Sequence, residues 1–74
     1  MNSNLDGFVH FTHSNGYLIF FSKKNLQGIS LAYNGSSQLS IVINYYKGSD
    51  IRFDNLYEST AKDILKRIYK ELLQ

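Results

Sequence analysis

The apolar residues of this chain change their period once, near Asn55, and that switch limits the fold more than any other feature. Upstream they fall in short β-rich runs at 8–13, 17–21, 28–33, 39–46 and 51–53. Glycine-bearing turns separate the runs: Ser14-Asn15-Gly16, Asn34-Gly35-Ser36-Ser37 and Lys47-Gly48-Ser49-Asp50. Asn-Gly between apolar runs is a strong hairpin signal, and no proline removes a strand donor. Downstream, Ala61, Ile64, Leu65, Ile68, Tyr69, Leu72 and Leu73 form one continuous stripe at helical spacing. The stripe predicts a helix from Thr60 to about Leu73. Ser59 or Thr60 is the expected cap, with Asp63 completing a box-like pair with Thr60. Asp63, Arg67 and Glu71 stand ready to pair at i, i+4 on its outer side.

The expected order is therefore β-β-β-β-β-α. This is an α+β domain: an antiparallel four- to five-stranded meander sheet with one C-terminal amphipathic helix packed on one face. Residues 1–6 are polar and expected to fray, leaving 7–74 as the single domain.

At 74 residues the chain holds one small core, without cysteine to staple it. Six tyrosines and five phenylalanines supply large apolar areas instead, and self-association is a second remedy. The lack of cysteine fits a reducing compartment. No basic region precedes an apolar run, and the longest apolar run, 17–21, falls far short of a membrane span of roughly 20 residues. A cytoplasmic location and no membrane partner follow as expectations. The net charge of +2 is too small to mark a dedicated nucleic-acid binder.

Strand alternation separates the later strands from the first two. Ile29, Leu31 and Tyr33 share a side, as do Leu39, Ile41, Ile43 and Tyr45, and Ile51 with Phe53. The opposite sides are wetter. Odd-numbered loops, such as Asn34-Gly35-Ser36 and Lys47-Gly48-Ser49, keep these apolar sets together; a two-residue loop at Lys47-Gly48 would set Ile43 against Arg52. The first hairpin is apolar on both faces. With Asn15-Gly16 as a two-residue turn, Val9, Phe11, Leu18 and Phe20 share one face, and Phe8, Tyr17, Ile19 and Phe21 the other. One helix covers only one of them. The second set is thus the expected contact surface, for a second copy or another protein.

Chemistry-bearing constellations are sparse. His10 and His13 are an odd number of residues apart, so an unbroken strand sends them to opposite faces, unsuited to one metal. The serines fall largely in turns, where hydroxyls serve the backbone. Asp50, Asp54 and Glu58 cluster before the helix, where turn chemistry and the helix dipole account for them. Catalytic, metal, cofactor and small-molecule sites are not expected. Single-stranded nucleic acid is the alternative partner. Tyr46 and Arg52 on the wetter sheet face, with Lys23 and Lys24, are its candidate contacts. The Lys62, Lys66 and Lys70 row is interleaved with acids and reads as a solvated face.

The stretch Phe11-Thr12-His13-Ser14-Asn15-Gly16 through Leu26 and Ile29, then Ile43-Asn44-Tyr45-Tyr46-Lys47-Gly48 through Phe53 and the helix, resembles the FlbD-like small bacterial proteins. The likeness spans about residues 11–68. The chain departs from that pattern at Ser22-Lys23-Lys24, where the family tends to Asn-Pro-Asp, in lacking Asn before Gly48, and in its longer N-terminus and helix. The resemblance implies small β-hairpin and helix architecture and brings no catalytic residue. Together these readings point to a bacterial or phage-encoded accessory protein that acts by protein contact, as a homodimer.

Overall fold

The computed structural model describes residues 7–35 and 37–73. The expected fraying of 1–6 lies outside them, as does Ser36 of the second turn. The elements run β1 (Phe8–Thr12), β2 (Leu18–Ser22), β3 (Leu26–Tyr33), β4 (Gln38–Tyr45), β5 (Ile51–Tyr57) and α1 (Glu58–Leu72). The fold is α+β with antiparallel pairing and one C-terminal helix. The single meander is not formed. The strands divide into a two-stranded hairpin, β1-β2, and a three-stranded sheet ordered β3-β4-β5. The break falls where 23–25 reverse the chain, with Asn25 at a φ of 63°.

The first hairpin differs from expectation by one residue of register, and the consequence is large. Val9 pairs with Phe21 and Phe11 with Ile19. The loop has three residues: Gly16 N–H donates to the His13 carbonyl and His13 N–H to the Tyr17 carbonyl, both at 2.8 Å. Gly16 sits at a φ of 93°, the left-handed position that such a loop needs after its turn. Changing the loop from two residues to three moves every β2 side chain to the other face. Val9, Phe11, Ile19 and Phe21 therefore enter the core, while Phe8, His10, Thr12, Leu18 and Phe20 face outward.

The larger sheet keeps the expected parity. Ile29 pairs with Ile43, Leu31 with Ile41 and Ile43 with Ile51. Two bulges then correct the alternation at its ends. Around Asp54 and Asn55 the β4-β5 register shifts by one, with Asn55 at a φ of 60°. Without that extra residue Asn55 would point inward; with it, Leu56 is buried instead. This bulge also carries β5 to Tyr57, four residues past the expected end at Phe53. A matching shift between Leu26 and Gly28 keeps Leu26 against the core and starts β3 earlier than residue 28.

The helix begins two residues before Thr60, because Tyr57 takes the cap position in extended backbone with no side-chain cap bond. Glu58 in the first turn pairs with Lys62 at 3.0 Å, which supports the early start. The expected Thr60–Asp63 box gives way to tertiary contacts: both side chains bond to the hairpin. Ala61, Ile64 and Ile68 are buried on β4, β5 and β1. One core results, joining both hairpin strands, the sheet and the helix.

Candidate functional site

The outward face of the hairpin is the most unusual surface. Phe8, Leu18 and Phe20 remain 40%, 59% and 48% exposed. The Phe8 and Phe20 rings stack at 5.2 Å, only 6° from parallel, and His10 meets the Phe20 ring edge-on at 5.2 Å. Thr12 completes the face beside Leu18. None of Phe8, His10, Thr12, Leu18, Phe20 and Ser22 is an acid, lysine or arginine.

Of the four residues expected at a contact surface, only Phe8 lies here. Ile19 and Phe21 are core residues, and Tyr17 pairs with His13 at the base of the loop, on the core-facing side. Leu18 and Phe20 take their place. The cause is the one-residue register change, so the surplus of apolar hairpin surface persists while its membership alters.

The opposite side of the hairpin is fastened to the helix. His13 Nε2 donates to Asp63 Oδ2 at 2.6 Å, and its Nδ1 accepts the Asn15 N–H at 3.3 Å. Asn15 Nδ2 also donates to Thr60 Oγ1 at 3.3 Å. The Arg67 guanidinium lies 4.5 Å over the Phe11 ring and donates to Glu71 at 2.8 Å. A shallow groove runs past His13, Ser14, Asp63, Lys66 and Arg67. It contains serine, histidine and aspartate, but both imidazole nitrogens are engaged, and the Ser14 hydroxyl is directed to Asn15. That leaves no nitrogen to take a proton from serine. The arrangement works as a clamp. Tyr45 adds a second tie: its part-buried hydroxyl donates to the Ser22 carbonyl at 2.6 Å. Burial raises the Tyr45 pKa, and this bond opposes the rise.

The outer face of the three-stranded sheet is polar, as its alternation requires. The Ser40 hydroxyl donates to Asp54 at 2.5 Å, and Arg52 reaches both. The Ser40 bond holds the Asp54 carboxyl below the usual range; desolvation opposes this, and the Arg52 charge and bonds from Arg52 and Asn34 add to it. Ser30 donates to Asn44, which donates to Asp50. Asp50, Asp54 and Glu58 thus have separate partners. No group of three or more histidine, aspartate or glutamate side chains suited to a metal forms among the described residues.

The proposed nucleic-acid contacts divide. Tyr46 N–H donates to the Asn25 carbonyl, which brings the exposed Tyr46 to the Lys23-Lys24 corner. Arg52 is spent on Asp54 and Ser40. No helix of the described residues is long and apolar enough to cross a membrane. Neither a family model, nor a curated protein, nor a solved structure matches this chain.

Proposed function

We propose that the protein is a non-catalytic accessory module that works by protein contact, with the outer hairpin face as its docking surface. The carrying observation is the half-exposed, uncharged set of Phe8, Leu18 and Phe20 on one flat face. In so small a chain, that much apolar surface is costly to leave in water.

The footprint indicates the partner's shape. Five-residue strands span roughly 17 Å, about three turns of helix, and two strands with their side chains match a helix of roughly 10–12 Å diameter. The face fits one amphipathic helix of another protein, with an uncharged apolar stripe as the matching chemistry. It is small beside the roughly 800 Å² per partner of a standard interface, so affinity should be modest. The test is selection of a displayed library of short amphipathic helices on the full-length chain, with binding sites mapped by amide shifts. Binders should perturb Phe8, His10, Leu18 and Phe20 and be lost in Phe20→Ser. Binders that map to other surfaces, or survive that substitution, refute the proposal. An oligonucleotide that instead binds this chain steeply with falling salt would favour the nucleic-acid reading.

A further inference from the structure

Among the described residues, both outer strands of the three-stranded sheet have one free edge, and the two edges are built differently. The β5 edge is defended. It carries Arg52 and Asp54, and the bulge at Asp54 and Asn55 breaks its regular backbone. Charges and bulges are the usual devices that stop one sheet edge from pairing with another. Strand β3 has neither along 28–33. Its sequence there, Gly-Ile-Ser-Leu-Ala-Tyr, holds no charge and no proline, and its bulge lies before Gly28. Six residues of regular strand, roughly 20 Å, present alternate backbone N–H and C=O groups that no described residue pairs.

The side chains beside this edge are also uncovered. Leu31 and Tyr33 remain 39% and 75% exposed on the face that carries the helix. The helix offers a matching flank. Lys62, half-buried Leu65, and exposed Tyr69 and Leu73 follow one another at helical spacing. The hairpin is clamped to the other flank, through Thr60, Asp63 and Arg67.

We infer that a second copy of this chain adds to the free edge of β3, antiparallel about a two-fold axis, to make a continuous six-stranded sheet. One symmetry argument and two observations favour a second copy. A two-fold axis sets β3 against itself in antiparallel sense, the commonest symmetry of soluble oligomers. The strand is uncharged, so no like charges oppose each other near the axis. Leu31 and Tyr33 keep roughly 200 Å² accessible per copy beside the edge. With the strand edge itself this makes a small interface, so the dimer should be weak. The site is separate from the hairpin face and stands whether or not that face takes a helix.

Sedimentation velocity on the full chain over a broad concentration range tests the inference. The wild type should dimerise, with amide protection on β3 that rises with concentration. Leu31→Lys places two inward charges at the axis region and should weaken the dimer on the order of a hundredfold. Ser30→Lys, on the exposed opposite face, is the second variant and should act in the same direction should Leu31→Lys unfold. Phe20→Ser should leave dimerisation unchanged while abolishing helix binding, which separates this interface from the hairpin surface. A wild type that stays monomeric throughout, a dimer indifferent to the folded β3 variants, or one abolished by Phe20→Ser overturns it.

Discussion

Truncating Phe20 and Phe21 separately discriminates between the two possible hairpin registers, because each register buries a different one. In the structure Phe21 is 2% exposed and Phe20 is 48% exposed. Removal of a fully buried phenylalanine costs about 3–5 kcal/mol through lost transfer energy and the cavity left behind. A chain of 74 residues has a total stability of roughly 4–11 kcal/mol, so Phe21→Ala should bring folding close to the threshold. Phe20 already has about half its surface in water and loses mainly its stack on Phe8. Its truncation should cost about 1–2 kcal/mol. Urea unfolding followed by circular dichroism measures both, with comparable slopes required before the midpoints are compared. A two-residue Asn15-Gly16 turn demands the reverse order. Equal costs, or a larger cost at Phe20, would refute the three-residue loop and the outward face built on it.

Two further outcomes follow from local geometry. Asn55→Ala should destabilise by about 1 kcal/mol, whereas Asn55→Gly should be neutral or stabilising, because the bulge holds this residue at a φ of 60°; thermal unfolding of the pair checks the sign. The Asp54 carboxyl titrates below its ordinary range because its ionised form accepts the Ser40 hydroxyl bond, so its contribution is full above the unfolded aspartate pKa of about 4 and is lost as pH falls through the lower folded value. Asp54→Asn should flatten that acid limb in unfolding midpoints measured as pH falls from neutrality, and an unchanged limb would count against the Ser40 assignment.

Much of the architecture is visible in the order of apolar residues. The helix stripe from Ala61 to Leu72 is legible because one period persists over many residues and only one face is apolar. The parity that sets Ile43 with Ile51 is equally constrained, since the other parity opposes Ile43 to Arg52, but the register is not: a three-residue Lys47-Gly48-Ser49 loop would pair Ile43 with Phe53. The separation of β1-β2 from β3-β4-β5 has no such local marker. A connection at 23–25 is compatible with continued pairing or with a new layer, and only the packing of Leu26, Tyr45 and Phe21 into one core decides between them. The bulge at Asn55 is likewise hidden. An Asp-Asn pair reads as the end of a strand, whereas here it realigns β5 so that Leu56 reaches the interior.

The outward hairpin face was legible in kind but not in membership, for a specific reason. Alternation fixes a register when one parity is apolar and the other polar. In β2 both parities are apolar, Leu18 and Phe20 against Ile19 and Phe21, so either assignment buries a sound set. The observed register goes with a bond between groups fifty residues apart in sequence, His13 and Asp63. With a three-residue loop, His13 and Tyr17 close the hairpin and the imidazole points to the helix, where Asp63 and Thr60 receive His13 and Asn15. A two-residue turn would carry the β2 aromatics through half a rotation without moving β1, and Leu18 and Phe20 would then have to fill space shaped by Ile19 and Phe21. The polar clamp between loop and helix is formed in the register that leaves Phe8, Leu18 and Phe20 on the surface. A surface whose membership goes with a long-range hydrogen bond has no signature in the strand that displays it.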